Sequence, residues 1–542
     1  MNNTYSLKNS TIALFIGIIS LVLFMESSVP YFYAEHKNRA QNKFLGQIIY
    51  TPDQDMYFSF IRQARDGHFV FNNRLTYIPN KPAFVNLQFW LVGSIQRITG
   101  ISENGIYYAW RYMGILLLTI GIFLLARIVL PTARQVWACL ILLLFTGGFG
   151  FLFAILNSAH LIGLEAAHEG ILDMKFGMLP FQQAMTNPNF SFPHGLILIA
   201  YALFLLGEQK NSTKYYAFSG LFFCIIGLVR PYDILPPFAV FPVYLLVTNG
   251  GFKFQLRSLV TKLLPLFMLV PVLLYNFWLF KVNDIFKYWS LQGLNANSIP
   301  SVPWHYAAYG IVGILAIVRV AQAKTNPLGK TDKFLVTWFL LTFTLIQLGK
   351  YFPVIGWSPQ IGVYLAVPLA LLGCAIKFRP DYPKVRFYSI VLVVAGCAII
   401  SNAFIVLYYC KNFTDKDKTP IFYANLNETD AFAWLDKHTT AGTVVLAMPS
   451  TSLRIAKYTS DNVVAAHYSV TPRYTESAAM AAAFFADSVL GNPQKPALEK
   501  LNIGYIYVGP SEKMTNSVRV LEDGLLTQVY KNDLVAIYKV NK

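Results

Sequence analysis

Apolar residues run in long stretches along most of the chain, near residues 11–31, 105–130, 135–155, 193–208, 213–229, 232–248, 259–281, 304–322, 333–349, 358–376 and 386–410. A helix of about 20 apolar residues crosses the hydrocarbon core of a bilayer, and each stretch reaches or nearly reaches that length. About eleven transmembrane helices are therefore predicted. The stretch 83–99 is apolar on one side only, is short, and follows Asn80-Lys81-Pro82, which places it as an amphipathic helix lying in the membrane interface. Beyond residue 410 the pattern changes. Strand-like runs at 443–448, 462–466, 503–508 and 534–540 alternate with helical patterns at 429–438 and 475–489. The expected fold is an α-helical polytopic membrane module over 1–410, followed by a small soluble α/β domain over 411–542. No internal repeat or inverted hydropathy symmetry of the transporter kind is found.

Composition agrees, since 55% apolar residues and a mean hydropathy of +0.45 exceed what a soluble domain hides. The formal charge of +17 raises the question of a nucleic-acid partner, and the placement of the charges answers it. With the N-terminus in the cytoplasm, the inner segments hold sixteen lysines and arginines, from Lys8 through Arg127, Arg257 and Arg319 to Arg386, opposed by Glu208, Asp332 and Asp381. The short outer loops hold only Lys175, Arg230, Lys281, Lys287 and Lys350. The basic charge is thus topological, and no nucleic acid is implied. Had 83–99 been a span, the sixteen cations would face outward. The first apolar run lacks a small-x-small cleavage site around Glu26–Tyr31, so it is taken as a retained anchor. A loop at 32–104 and the tail consequently lie outside. The tail is near-neutral, with fourteen Lys and Arg against thirteen Asp and Glu. Five cysteines, Cys139, Cys224, Cys374, Cys397 and Cys410, lie in or at the end of apolar segments without CxxC spacing, which argues against structural zinc and a disulfide framework.

The chemistry concentrates in the first outer loop. Thr51 and Pro52 open a helical pattern that places Asp53 and Asp55 in its first turn, where exposed amides and the helix dipole favour negative charge. Such acids are commonplace at helix starts. Here, however, Arg62, Arg65, Arg74 and Lys81 share the loop. In glycosyl transfer from a phosphate leaving group to a hydroxyl, a carboxylate takes the acceptor proton while cations meet the charge growing on the phosphate. The bland alternative for the cations is contact with anionic headgroups.

At these residues the sequence resembles the GT-C superfamily of membrane glycosyltransferases, in particular the bacterial members that use polyprenyl-phosphate sugars, the lipid A aminoarabinose transferase and protein O-mannosyltransferase relatives. Pro52-Asp53-Gln54-Asp55-Met56-Tyr57, then Arg62, then Asp66-Gly67-His68-Phe69, is similar to the family's first loop, Asn80-Lys81-Pro82-Ala83-Phe84 to its Lys-Pro-Pro-Leu element, and 101–111, ending in Arg111, to the start of its next span. The tail, through 432–435, 465–472 and 504–510, resembles the outer domain of a GT-C subgroup. The resemblance implies a transferase in the bacterial inner membrane, with Asp53 as the catalytic aspartate, Asp55 the runner-up, and Lys81 a donor-phosphate ligand. Gln54 displaces the second acid and Ala83 replaces the second proline, so the choice of base stays open.

Arg62 and Arg230 are further candidates for the phosphate, though Arg230 and Asp233 can also pair with one another. Tyr57, His194, Glu165 and His467 are candidates for lining the substrate pocket, and each histidine also fits a structural, hydrogen-bonded role. Glu165, His168, Glu169 and Asp173 recur at helical spacing and can bind a divalent cation, but read better as a solvated helix face. No metal and no cofactor are expected. The partners expected are the lipid bilayer, a polyprenyl-phosphate sugar donor and a glycan, lipid or protein acceptor. The rival readings are a polytopic transporter or lipid-linked-glycan flippase, and a non-catalytic envelope assembly protein.

Overall fold

The computed structural model describes residues 9–37, 41–49, 51–161, 178–248, 255–292, 301–349, 351, 362, 364–377, 384–413, 419–486, 489–490, 495–513, 519–520 and 524–541. Among them six helices are long and apolar enough to cross a membrane: Asn9–His36, Glu103–Val129, Ala133–Ser158, Pro188–Lys210, Pro231–Thr248 and Leu264–Val282. Further helices, including Thr213–Gly227, Gly310–Ala321, Lys330–Leu348, Ala366–Cys374 and Lys384–Asn412, occupy the other apolar stretches. The chain divides into two compact units. The first holds Met1–Pro30, Tyr108–Leu274 and Ala296–Lys411; the second holds Tyr31–Tyr107, Tyr275–Asn295 and Asn412–Lys542.

In the first unit helices pack through small residues and buried rings. A Cβ on Gly121 would sit 2.7 Å from the Gly195 carbonyl oxygen, and one on Gly195 would sit 2.5 Å from the Leu117 carbonyl carbon. Only glycine lets these two helices approach so closely, the usual device where lipid supplies no hydrophobic drive for association. Phe204 and Phe241 stack with ring centroids 3.8 Å apart. Arg111, fully buried, donates to the Ala184 and Ser27 carbonyls and to the hydroxyls of Ser27 and Ser28, at 3.0 to 3.2 Å.

The second unit is built from three stretches of sequence. Its centre is a five-stranded sheet in the order β4-β3-β6-β9-β8, made of β3 Val444–Leu446, β4 Asn462–Val463, β6 Ile503–Val508, β8 Leu526–Lys531 and β9 Ala536–Val540. The first three strands run parallel, and β9 is antiparallel to both β6 and β8. Two smaller pairs are β1 Asn42–Phe44 with β2 Tyr423–Asn425, antiparallel, and β5 Val489–Leu490 with β7 Arg519–Val520, parallel. Val444, Leu446, Phe485, Ile503, Ile506 and Val540 form the core, and Tyr77 of the first loop packs against it. The same loop adds to the open edge of the sheet: Val463 N–H donates to the Arg74 carbonyl at 3.1 Å, and Thr76 bridges Ala465.

Helix Thr51–Arg65 lies in this unit against helix Leu87–Thr99. Asn86 caps the latter by accepting from the amides of Gln88 and Phe89, and Gly100 ends it in the left-handed region. At 13 residues it is about 20 Å long, too short to cross a bilayer. Gly93 meets the Thr51–Arg65 helix, since a Cβ there would lie 2.4 Å from the Ile61 carbonyl oxygen. Trp90 and Ile98 stay 39% and 83% exposed. The third stretch is held by a hydroxyl and by rings: Tyr275 Oη accepts from Val85 N–H at 2.8 Å and donates to the Ala83 carbonyl at 3.0 Å, and Phe286 and Trp289 pack against Phe84.

Candidate active site

Asp53 and Asp55 are two residues apart on one helix, a spacing that sends their side chains to different sides. They consequently have different surroundings. Asp53 Oδ1 lies 2.9 Å from His467 Nε2, and the Asp53 side chain remains 32% exposed against 1% for the histidine. Asp55 Oδ1 lies 2.7 Å from Lys457 Nζ, with the side chains 8% and 1% exposed. Burial alone would lower the Lys457 pKa, but the Asp55 carboxylate, with Tyr458 beside it, more than offsets this and holds it raised. Phe58 and Tyr458 rings flank the ammonium at 5.1 and 5.0 Å. One aspartate of the pair is thus open and the other sealed.

Arg62 is buried and doubly engaged: it donates to the Tyr458 carbonyl at 2.6 Å and to Asp436 Oδ1 at 2.5 Å. Its guanidinium ties the first-loop helix to the tail. Arg74 is buried near it, and desolvation pulls its pKa down to about 10. Tyr57 is half-buried with its ring 5.2 Å from that of Phe89. Lys81 is exposed. The loop that carries it is held on one side by Asn80, which bonds both N–H and C=O of Asn73, and on the other by the Tyr275 hydroxyl.

The loop that carries His467 is stitched to its surroundings. Thr471 Oγ1 accepts from the amides of Ala466 and His467 at 3.2 Å and donates to the Leu75 carbonyl at 2.7 Å. Asn73 Nδ2 donates to the Val470 carbonyl at 2.9 Å. Tyr468, 48% exposed, sits beside the histidine ring at 4.7 Å between centroids. Burial, with Asp53 nearby, raises its phenol pKa.

In the first unit a second polar cluster forms around His194. An Arg230 guanidinium can only donate, so at 2.5 Å His194 Nε2 accepts from it, and Nδ1–H donates to Gln183 Oε1 at 2.8 Å. Arg230 also donates to Tyr232 Oη at 2.6 Å, faces Asp233 Oδ2 at 3.4 Å, and lies over the Phe190 ring. All of His194, Arg230 and Asp233 are buried. Glu165, with His168, Glu169 and Asp173, lies outside the described residues. Among the described residues no group of three His, Cys, Asp or Glu is arranged to hold a metal ion.

The structure therefore brings Asp53 to His467 and Arg230 to His194, and gives Asp55 and Arg62 tail residues as partners. Sequence reasoning missed those partners, Lys457 for Asp55 and Asp436 for Arg62. For Lys457 a signal existed: it falls on the same helix as Leu453, Ile455 and Ala456, all buried, and a lysine among core positions needs a counter-ion.

Chemically, the second unit offers a partly open carboxylate held at one oxygen, beside an exposed aromatic ring, and an exposed lysine on a pinned loop. No family model matches the chain, and no curated protein matches it in sequence. Solved structures do resemble it. Archaeal oligosaccharyltransferase AglB from Archaeoglobus fulgidus, in complex with an inhibitory peptide and a dolichol-phosphate, superposes with a TM-score of 0.53 at 12% identity, over 91% of this chain and 69% of that one. ArnT from Cupriavidus metallidurans, bound to undecaprenyl phosphate, superposes with a TM-score of 0.52 at 13% identity, over 98% of both chains. At such identities the likeness is one of fold.

Proposed function

Starting from the GT-C fold that this chain shares with AglB and ArnT, we propose that it is a glycosyltransferase that moves a sugar from a polyprenyl-phosphate carrier to an acceptor hydroxyl on the outer side of the bacterial inner membrane. The observation that carries this reading is Asp53: a carboxylate in the first turn of a helix, anchored at Oδ1 by His467 and still 32% exposed. As general base it takes the acceptor proton while the sugar carbon leaves its phosphate oxygen and bonds to the acceptor oxygen, with inversion. Lys81 meets the charge that grows on the departing phosphate. The proposed topology has eleven spans, the N-terminus in the cytoplasm and the second unit outside, as the positive-inside pattern favours.

The test is sugar transfer by the purified full-length protein in lipid discs, with undecaprenyl-phosphate sugars as donors. Wild type should bind undecaprenyl phosphate and transfer sugar; Asp53→Asn should still bind and fail to transfer. Full activity in that variant, or no binding of the lipid phosphate by wild type, overturns the reading. A second reading, a flippase for lipid-linked glycans, draws on the buried Arg230–His194–Asp233 cluster inside the helical unit. It requires translocation in vesicles without a new glycosidic bond.

A further inference from the structure

Ser469 decides the protonation pattern of His467. Its backbone N–H lies 3.2 Å from His467 Nδ1, and its Oγ lies 2.8 Å from the same nitrogen. A backbone amide has only a proton to give, so Nδ1 must present its lone pair, and the serine hydroxyl donates there too. The proton of the neutral ring then sits on Nε2. That nitrogen is 2.9 Å from Asp53 Oδ1, and it donates to the carboxylate.

We propose that His467, oriented by Ser469, is a positioning residue for Asp53 and not a base in its own right. This inference rests on the reading of Asp53 as the base. The hydrogen bonds run in the same sense as in a hydrolase triad, from hydroxyl to imidazole to carboxylate, but the open end is different: Ser469 is buried, and the carboxylate of Asp53 is the group that meets solvent. Here hydroxyl and amide feed the ring and the ring feeds the carboxylate. The neutral ring already carries its proton on Nε2, so it cannot relieve Asp53 of the proton taken from the acceptor. It holds Oδ1, fixes the carboxylate rotamer, and leaves Oδ2 to collect that proton until it returns to solvent. The loop is suited to the task, since the Thr471 hydroxyl fixes the backbone of Ala466 and His467 from behind.

The experiment combines transfer kinetics with nitrogen NMR on the full-length protein labelled with 15N-histidine, the His467 signal being assigned by its loss in His467→Gln. His467→Ala should lose about 100-fold in kcat with the KM for donor unchanged, the signature of an interaction that matters in the transition state. His467→Gln, which keeps an N–H donor, should recover at least about tenfold of that loss, and Ser469→Ala should fall between wild type and His467→Ala. The wild-type spectrum should show a protonated Nε2 and a bare Nδ1. Wild-type kcat in His467→Ala, equal loss in the Ala and Gln variants, or a protonated Nδ1 would each overturn the proposal. Should no polyprenyl-phosphate sugar be transferred at all, the assignment of function fails, while the nitrogen spectrum still decides the direction of the Ser469–His467–Asp53 bonds.

Discussion

Lys457 Nζ lies 2.7 Å from Asp55 Oδ1 across 402 positions of sequence, and both side chains are sealed from solvent. Removing one member of a buried pair strands the other charge, at a cost of about 3–5 kcal/mol. Asp55→Asn and Lys457→Met should therefore lower thermal stability by that order. Asp53→Asn should leave the melting temperature within a degree or two of wild type and cut the transfer rate by at least about 100-fold. Melting curves and transfer rates measured on the same preparations check the division, which fails if Asp53→Asn proves the less stable of the two.

Arg62 and Asp436 form a second tie between the first loop and the tail, at 2.5 Å. Arg62→Met also frees the Tyr458 carbonyl, so it should destabilise by about 2–3 kcal/mol, and Asp436→Asn by less because Asp436 is partly exposed. A double-mutant cycle should return a coupling of about 1 kcal/mol. A coupling near zero would mean that the pair does not hold the two stretches together.

Asp461 is buried, and desolvation pushes its carboxyl up to about 6 against the pull of the Thr439 and Thr459 hydroxyls. Its folded pKa lies above its unfolded value, so the folded protein holds the proton more tightly. The stability this brings is complete below about pH 4 and lost as pH rises through about 6, amounting to about 3 kcal/mol. Asp461→Asn keeps an acceptor for Thr439 and removes the titration. Urea melts at pH 4.5 and 7.5 should show the variant gaining on wild type by about 2 kcal/mol more at the higher pH; an equal gain at both would contradict the mechanism.

Gly93→Ala places a methyl 2.4 Å from the Ile61 carbonyl oxygen and 2.5 Å from Ala64 Cβ. Both neighbours are part of a helix that cannot yield locally, so overpacking should cost about 1–3 kcal/mol. It should also displace the helix that carries Asp53, lowering transfer more than melting temperature alone would suggest. Gly17→Ala, with nothing within 4 Å of its new Cβ, is the control.

These outcomes also show which parts of the molecule could be read from residue order. Span-length apolar runs declare helices directly, and the Thr51-Pro52-Asp53 start fixes a helix wherever the chain goes next. Helix Leu87–Thr99 was legible from its one-sided pattern and its position after Pro82. What stayed hidden depends on distant partners. Nothing near Arg62 says that it will meet Asp436, and the stretch 526–531, with its mixed Thr, Gln, Tyr and Lys, becomes strand β8 only because β9 pairs with it. Lys457 stands among core positions of its helix, but nothing in the residue order names Asp55 as its counter-ion.

The 414 positions between Asp53 and His467 also set an order of events in the making of the protein. At about 5–20 residues per second on the ribosome, roughly 20–80 s pass between synthesis of the first and of the second. For that interval the nascent first loop has its aspartates and arginines without the histidine, lysine and aspartate that complete them. On the proposed reading of Asp53, the carboxylate is therefore without the imidazole that positions it until synthesis has passed residue 467, and the site is assembled late in the making of the chain.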